Sequence, residues 1–167
     1  MQNKYVFREY SPLYVKYFAQ ERKLLEDVLG ESVNIEHVGS TAVPGLGGKG
    51  IVDILIGVFR DDIGITKNKL KKAGYEFRPQ ASTSERLFFR RDYAVGQQKR
   101  RVHLHLVERE GSEWQQFIFF RDYLRENPTV AEEYTKIKQE AVKMARGEGE
   151  KYRKHKEKFI ASLLKKI

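Results

Sequence analysis

Apolar residues along the chain follow two different periods, and these periods predict a mixture of helices and strands. A spacing of three and four residues, typical of one helix face, runs through residues 11–29 and returns in the last third of the chain. Alternation at every second residue, typical of a half-buried strand, marks residues 33–38 and 101–107. Residues 51–59 are almost continuously apolar, as in a central strand. The middle of the chain is therefore rich in strands.

Helix breakers set the limits of the helices. Gly30 ends the first helix, and Gly74 ends a second one over residues 61–73. Ser112 is the predicted N-cap of a third helix. Two further helices follow, separated by Asn127-Pro128 and by Gly147 and Gly149. We assign the apolar side of the first helix to Leu13, Tyr17, Leu24, Leu25 and Val28.

The order of these elements predicts the fold class. Residues 75–77 and 87–93 are further strand candidates. One helix, a strand-rich middle and three helices predict an α+β (mixed α/β) fold. We expect residues 33–38, 51–59 and 101–107 to lie in one mixed β-sheet, with the first helix and the C-terminal helices packed against it. No repeat or linker interrupts the pattern, so we expect residues 1–167 to form a single domain.

Composition narrows the class of protein. The 167 residues include no cysteine, which excludes disulfides and thiolate metal sites. No apolar run approaches the ~20 residues that cross a bilayer, so we expect no membrane partner. The N-terminus has no apolar signal region, and the cytoplasm is the expected compartment. The oligomeric state is left open.

The net charge of +9 is concentrated near the C-terminus, where residues 136–167 carry eleven Lys or Arg and four Glu. Such a basic end can attract phosphates or nucleic acid. Solvated helix faces explain the same charges more simply. Nucleic acid is the less favoured partner, because interleaved exposed aromatic residues, on which single-stranded bases stack, are not evident.

A glycine-rich string at residues 45–50 matches G-x-G-x-x-G but leads into a strand. A dinucleotide-binding loop instead follows a strand and opens a helix. The string also fails as a P-loop, because Val43 replaces the first glycine and Gly50 replaces the magnesium-binding Ser or Thr. Neither nucleotide-binding motif is therefore present.

Gly39-Ser40 and Asp53 form a more specific pattern. A Gly-Ser turn at a strand end offers backbone N–H groups and a hydroxyl to phosphate oxygens. An acidic residue on the next strand can bind the cation that bridges those phosphates. Asp53 lies within an apolar run, where a carboxylate is costly to bury unless it is paired. Lys49 either neutralises phosphate or pairs with Asp53, and we predict phosphate binding by Gly39, Ser40 and Lys49.

His103 and His105 stand two residues apart on a predicted strand and therefore share a face. If that strand neighbours the one with Asp53, the two imidazoles and the carboxylate form a ligand set for a divalent metal. Binding of an anion, or packing as neutral polar core, is the alternative role of the two histidines. His37 is predicted to be structural.

The spacing from Gly39-Ser40 to Asp53 is that of the nucleotidyltransferase superfamily, whose signature pairs a Gly-Ser turn with a strand bearing Asp-x-Asp or Asp-x-Glu. Residues 35–46, with Lys49 and the segment 51–54, resemble the GrpB family more closely. The resemblance continues at His103-Leu104-His105, at residues 120–125, and at Tyr152, Lys156 and Phe159. It covers essentially the whole chain and implies a nucleotidyltransferase-like fold with no well-defined substrate.

Leu55 stands where the superfamily signature has its second metal-binding carboxylate. Two-metal phosphoryl transfer needs several acidic oxygens, so ordinary nucleotidyl transfer is in doubt. One hypothesis is a metal-dependent transferase acting on a phosphorylated small molecule or nucleotide. In it Asp53 is catalytic, and Asp53, His103 and His105 bind Mn²⁺, Zn²⁺ or Mg²⁺. The other is a non-catalytic nucleotide- or coenzyme-A-related binding module.

Overall fold

The computed structural model describes residues 6–167 and contains a five-stranded sheet with helices on both faces. The strands are β1 (Asn34–Val38), β2 (Val52–Val58), β3 (Glu76–Phe77), β4 (Arg86–Val95) and β5 (Gln98–Glu108). The α-helices are α1 (Leu13–Leu29), α2 (Ile63–Lys72), α3 (Ser112–Glu126), α4 (Pro128–Ala145) and α5 (Gly149–Leu164). The α+β fold class is therefore confirmed.

The strands follow the order β1-β2-β5-β4-β3 in a mixed sheet. Strands β2 and β5 are parallel, and every other neighbouring pair is antiparallel. Strands β4 and β5 form a long hairpin that extends beyond both predicted strands. The prediction that residues 33–38, 51–59 and 101–107 share one sheet is thus confirmed.

Helices α1 and α2 cover one face of the sheet. Leu25 of α1 and Leu70 of α2 are fully buried in a cluster with Val52, Ile54 and Ile56 of β2. The remaining side chains of β2 point to the opposite face of the sheet, which is also covered. Burial on both faces explains why the sequence of β2 is almost continuously apolar. The central strand is therefore buried on both sides.

The predicted apolar side of α1 is partly wrong. Leu13 and Leu24 are 51% and 46% exposed, whereas Tyr14, Glu21 and Leu25 are buried. Glu21 lies in this buried stripe because the hydroxyls of Tyr75 and Tyr93 donate hydrogen bonds to its carboxylate. The apolar pattern placed the buried face of α1 wrongly because the charged residue Glu21 occupies a core position on it.

Helix α3 covers the opposite face of the sheet. Trp114 and Phe117 pack on a buried cluster that contains Leu55 of β2 and Val107 of β5. The position of the missing second carboxylate is thus a fully buried core position. Helix α3 begins at Ser112 with Gly111 as its N-cap, so the prediction of Ser112 as N-cap is wrong by one residue.

Helices α4 and α5 were expected to pack on the sheet, but their main apolar contacts are elsewhere. Tyr134 of α4 and Leu163 of α5 are buried with Leu124 of α3 and with Val43 and Leu46 of the glycine-rich loop. The helices therefore cover the loop that connects β1 to β2. No helix in the described part of the chain is long and apolar enough to span a membrane.

Candidate functional site

The pairing of β2 with β5 brings the predicted metal-binding residues together. Asp53 lies beside His103 in the register, and Leu55 lies beside His105. Alternation along the strands points all four side chains to the α3 face. His105 therefore lies next to the position where the superfamily signature has its second carboxylate.

Both imidazoles approach the same oxygen of Asp53. His105 Nε2 lies 3.0 Å from Asp53 Oδ1, and His103 Nδ1 lies 3.4 Å from it. Burial raises the pKa of Asp53, but hydrogen bonds and charge from the two histidines lower it by more, so the carboxylate is ionised. Burial lowers the pKa of His105, against an opposing effect of Asp53. A neutral His105 that donates from Nε2 to Asp53 fits both directions.

The Gly-Ser turn lies directly against Asp53. Gly39 has φ 74°, and a Cβ built on it would lie 2.6 Å from Asp53 Oδ2. Only glycine allows this combination of positive φ and close approach. A 3-10 turn over Ser40–Ala42 follows. The second carboxylate oxygen therefore borders the predicted phosphate-binding turn.

His37 stabilises this turn and does not line the cavity that contains Gly39 and Ser40. Its Nε2 lies 2.9 Å from Thr41 Oγ1 in a buried hydrogen bond, and its ring stacks on Phe18. Burial lowers the pKa of His37 to about 4, so it is neutral at physiological pH. Its geometry matches the predicted structural role.

A cavity of about 410 Å³ opens in front of the turn. We call it the lysine pocket, because Lys49, Lys138 and Lys156 line it together with Ser40 and Asp53. All of the residues predicted from sequence to bind phosphate or metal line this one cavity: Gly39, Ser40, Lys49, Asp53, His103 and His105.

Lys138 was missed by sequence reasoning. It is 2% exposed, and its Nζ donates a hydrogen bond to the Gly47 carbonyl. A Cβ on Gly48 would lie 3.1 Å from Lys138 Nζ and 2.7 Å from Ser40 Oγ. The ammonium and the hydroxyl therefore approach the loop backbone from the same side, and Gly48 leaves room for both.

Lys156 was known only from the family resemblance and also lines the pocket. Its Nζ lies 4.3 Å from the centre of the Tyr152 ring, and Lys49 Nζ lies 4.5 Å from the same centre. Burial lowers the pKa of Lys156 to about 8, with further lowering by Lys49. Burial also lowers the pKa of Lys138 to about 7, helped by Lys156 and Lys49. The three ammonium groups therefore repel one another.

A sequence signal for these two lysines exists. Lys138 stands four residues after Tyr134 and three before Ala141, and both of these neighbours are buried. Lys156 likewise stands four residues after Tyr152 and three before Phe159. A lysine on the core-facing stripe of a helix requires a reason to be there. Lys138 on α4 and Lys156 on α5 both meet this criterion.

The cationic residues Arg121 and Arg125 have structural roles. Arg121 is 9% exposed and donates to Glu36 at 2.7 Å and to Asp122 at 2.8 Å. Arg125 donates to the Ala42 carbonyl at 2.8 Å. These contacts fix α3 to β1 and to the glycine-rich loop.

Asp53, His103 and His105 fit a divalent metal by donor type. One carboxylate and two imidazoles facing a cavity suit Mn²⁺ or Zn²⁺. Their present spacing is that of hydrogen bonds, and no three acidic or histidine side chains among residues 6–167 are spaced as a formed cation site. A metal here would replace the contacts between the histidines and Asp53.

Solved structures identify the class of fold. The structure aligns with a MgATP-bound mutant of the Cid1 poly(U) polymerase, with a TM-score of 0.50 and 11% identity over 78% of this chain and 45% of that one. It aligns far better with the crystal structure of the conserved protein GrpB from Enterococcus faecalis. That alignment has a TM-score of 0.82 and 29% identity, and covers 96% of each chain. The fold is nucleotidyltransferase-like.

Sequence comparison then gives the family. The profile described as GrpB protein matches residues 5–166. The glutamate-rich protein GrpB of Alkalihalophilus pseudofirmus is 33% identical over 90% of this chain and 88% of its own length. A UPF0157 protein of Halalkalibacterium halodurans is 32% identical over 95% and 80%. The chain belongs to the GrpB family.

Proposed function

We propose that this protein binds a phosphorylated small molecule of the nucleotide class in the lysine pocket. The phosphates lie against the Gly39-Ser40 turn, where the Ser40 hydroxyl and backbone N–H groups donate to them. Lys49, Lys138 and Lys156 neutralise their charge. This assignment extends the predicted phosphate site by two residues from the C-terminal helices.

One observation carries the proposal: the three lysines and Arg86 line one cavity, whose acidic lining residues are Asp53 and Glu113. Like charges at short range in a partly buried site oppose one another, and this repulsion contributes to the lowered pKa values of Lys138 and Lys156. A phosphate chain relieves it by supplying several negative charges. A di- or triphosphate balances three lysines better than a monophosphate does.

The apolar part of the pocket lining suits the uncharged part of such a ligand. Phe117, Phe120, Ile160 and Leu164 contribute this apolar lining, and Gln116 adds an amide. A volume of about 410 Å³ lies within the ~300–1,000 Å³ range of small-molecule sites. A planar ring packed against Phe117, with its polar edge near Gln116, matches this lining.

Calorimetric titration of adenosine mono-, di- and triphosphate tests the proposal. We expect affinity to rise with the number of phosphates. Ser40→Ala should weaken binding by the ~0.5–1.5 kcal/mol of one net hydrogen bond. Ser162→Ala is a matched control, because Ser162 is exposed on α5 and does not line the pocket. Equal affinities for all three nucleotides, or equal effects of the two variants, would reject the site.

Metal-dependent transfer is a second proposal, and it rests on the approach of His103 and His105 to Asp53. In it Asp53 is the catalytic residue, and the three side chains hold Mn²⁺, Zn²⁺ or Mg²⁺. A bound metal would polarise a phosphoryl oxygen. Leu55 is buried under α3, so this site lacks the usual second carboxylate. If no metal binds, the protein is a nucleotide-binding module without transfer chemistry.

A further inference from the structure

A second cavity adjoins the lysine pocket at the start of the two parallel strands. It has a volume of about 650 Å³ and shares Lys49 and Ile51 with the lysine pocket. We call it the hairpin groove, because Lys99 and Arg100 of the β4–β5 hairpin line one side. Arg8 lines it from the N-terminal segment. The shared residues place the two cavities side by side.

The hairpin groove has an excess of positive charge. Asp92 is its acidic lining residue, and Arg101 already holds that carboxylate through hydrogen bonds of 2.7 and 2.9 Å. Among residues 6–167, no carboxylate lies within ion-pairing distance of Arg8, Lys99 or Arg100. Three cationic side chains therefore line the groove without a balancing acid in the described structure.

Arg100 is held in place by aromatic rings but has hydrogen-bond donors without an acceptor in the described structure. Its guanidinium lies between two aromatic rings, 4.5 Å from the centre of Tyr17 and 4.8 Å from that of Tyr93. Its Nε and Nη1 atoms are buried and have no hydrogen-bond partner in the described structure. Unpaired buried donors are rare and need an explanation. Arg100 also lines the groove, so an anion bound there would lie beside this guanidinium.

The position of Arg8 is tied to the glycine-rich loop. Its backbone exchanges two hydrogen bonds with Gly48, of 2.6 and 2.9 Å. Gly50 has φ 73°, and a Cβ on it would meet Arg8 Cδ at 2.9 Å and the Tyr14 hydroxyl at 3.1 Å. The loop that borders the lysine pocket therefore also positions Arg8 over the groove.

We propose that the hairpin groove is a second phosphate-binding site, which holds a phosphate group beyond the one bound at Gly39-Ser40. Arg8, Lys99 and Arg100 bind this group. The cavities adjoin, so the phosphate belongs either to a distal part of the ligand in the lysine pocket or to a second phosphorylated molecule. The chemistry is the same in both cases, and the experiment separates them.

Sulfate titration of ¹⁵N-labelled protein, followed by NMR, tests the two sites separately. We expect the amides of residues 99–101 and Gly50 to shift with one affinity, and those of Gly39, Ser40 and Gly48 with another. Arg8→Gln/Lys99→Gln should weaken sulfate binding at the hairpin by about tenfold or more and leave the Gly39-Ser40 response unchanged. Both residues are exposed, so the double variant should fold normally.

The control double variant is Lys69→Gln/Lys72→Gln, which removes the same charge from exposed positions on α2. Hairpin shifts that respond equally to both double variants would overturn the proposal, as would the absence of hairpin shifts. If sulfate shifts the hairpin amides of the wild-type protein but not those of Gly39 and Ser40, the phosphate site in the lysine pocket is rejected and the site in the hairpin groove is retained. Repeating the sulfate titration with saturating adenosine triphosphate shows which molecule supplies the phosphate in the hairpin groove. If sulfate still binds at the hairpin, the groove holds a second phosphorylated molecule. If adenosine triphosphate displaces the sulfate, one ligand spans both cavities.

Discussion

Lys138 donates a hydrogen bond from its buried ammonium group to the carbonyl of Gly47, 91 residues earlier in the chain. This contact joins α4 to the loop between β1 and β2. It brings a positive charge from the C-terminal helices to the edge of the Gly39-Ser40 turn. The pocket is therefore formed jointly by the sheet and by helices α4 and α5, whose main apolar contacts are with α3 and the glycine-rich loop and not with the sheet.

Replacing Lys138 tests whether this contact serves binding. Lys138→Gln keeps a donor for Gly47 and removes the charge, so we expect adenosine triphosphate to bind about tenfold or more weakly, as for one charge-assisted hydrogen bond. Calorimetry measures the affinity, and thermal unfolding reports stability. Lys143→Gln, exposed on the same helix, is the control. A lower unfolding temperature with unchanged affinity would show that Lys138 only anchors the loop.

Anion binding should depend on pH through Lys138 and Lys156. Their pKa values are lowered, by burial first, to about 7 and about 8. Both are therefore protonated at pH 6 and lose their protons as the pH rises through 7 and 8. We expect sulfate affinity to be highest near pH 6 and to fall towards pH 9. Sulfate is a suitable probe because it remains a dianion throughout.

Lys138→Arg provides the control for this pH dependence, since arginine stays charged in proteins. We expect its sulfate affinity to fall less steeply than that of the wild type between pH 6 and 8. Calorimetric titrations at intervals of half a pH unit give the comparison. Identical profiles for both proteins would assign the pH dependence to other groups.

The close approach of Gly39 to Asp53 predicts a specific sensitivity to substitution. Gly39→Ala combines a positive φ with a Cβ 2.6 Å from Asp53 Oδ2. Gly45→Ala has a similar φ of 81° with nothing within 4 Å, and isolates the backbone strain of about 1–2 kcal/mol. We expect Gly39→Ala to lower the free energy of unfolding by clearly more, as measured by urea denaturation. Equal losses would mean that the Asp53 contact has no energetic consequence.

Metal titration decides between transfer and simple binding. If Asp53, His103 and His105 form a metal site, Mn²⁺ or Zn²⁺ should bind more tightly than Mg²⁺, because imidazole favours transition metals. Asp53→Asn and His105→Ala should each weaken binding at least about tenfold, the lower range found for outer-shell partners of metal ligands. Asp61→Asn, at an exposed position, is the control. Equal, weak binding in all four proteins favours the non-catalytic module.

Local patterns in the sequence were sufficient for the elements and for the core of the site. The nearly continuous apolar run predicted β2, and the period of two predicted β1 and β5, because side chains alternate across a sheet. The same rule placed His103 and His105 on one face. The Gly39-Ser40 turn and Asp53 stood out because both residue types are costly or unusual at such positions. Each of these signals can be recognised within a short stretch of the chain.

Tertiary packing decided the remainder, because it joins residues that no local period relates. Helix α1 buries Glu21, and not Leu13 or Leu24, since two tyrosines from distant elements supply hydrogen bonds to that carboxylate. Leu55 is apolar because α3 folds over it. The sequence alone places Lys138 and Lys156 among the basic residues of the C-terminal helices. They line the pocket because α4 and α5 pack against the glycine-rich loop. The sequence determined the strands and the turn, and long-range contacts determined the charge of the pocket they form.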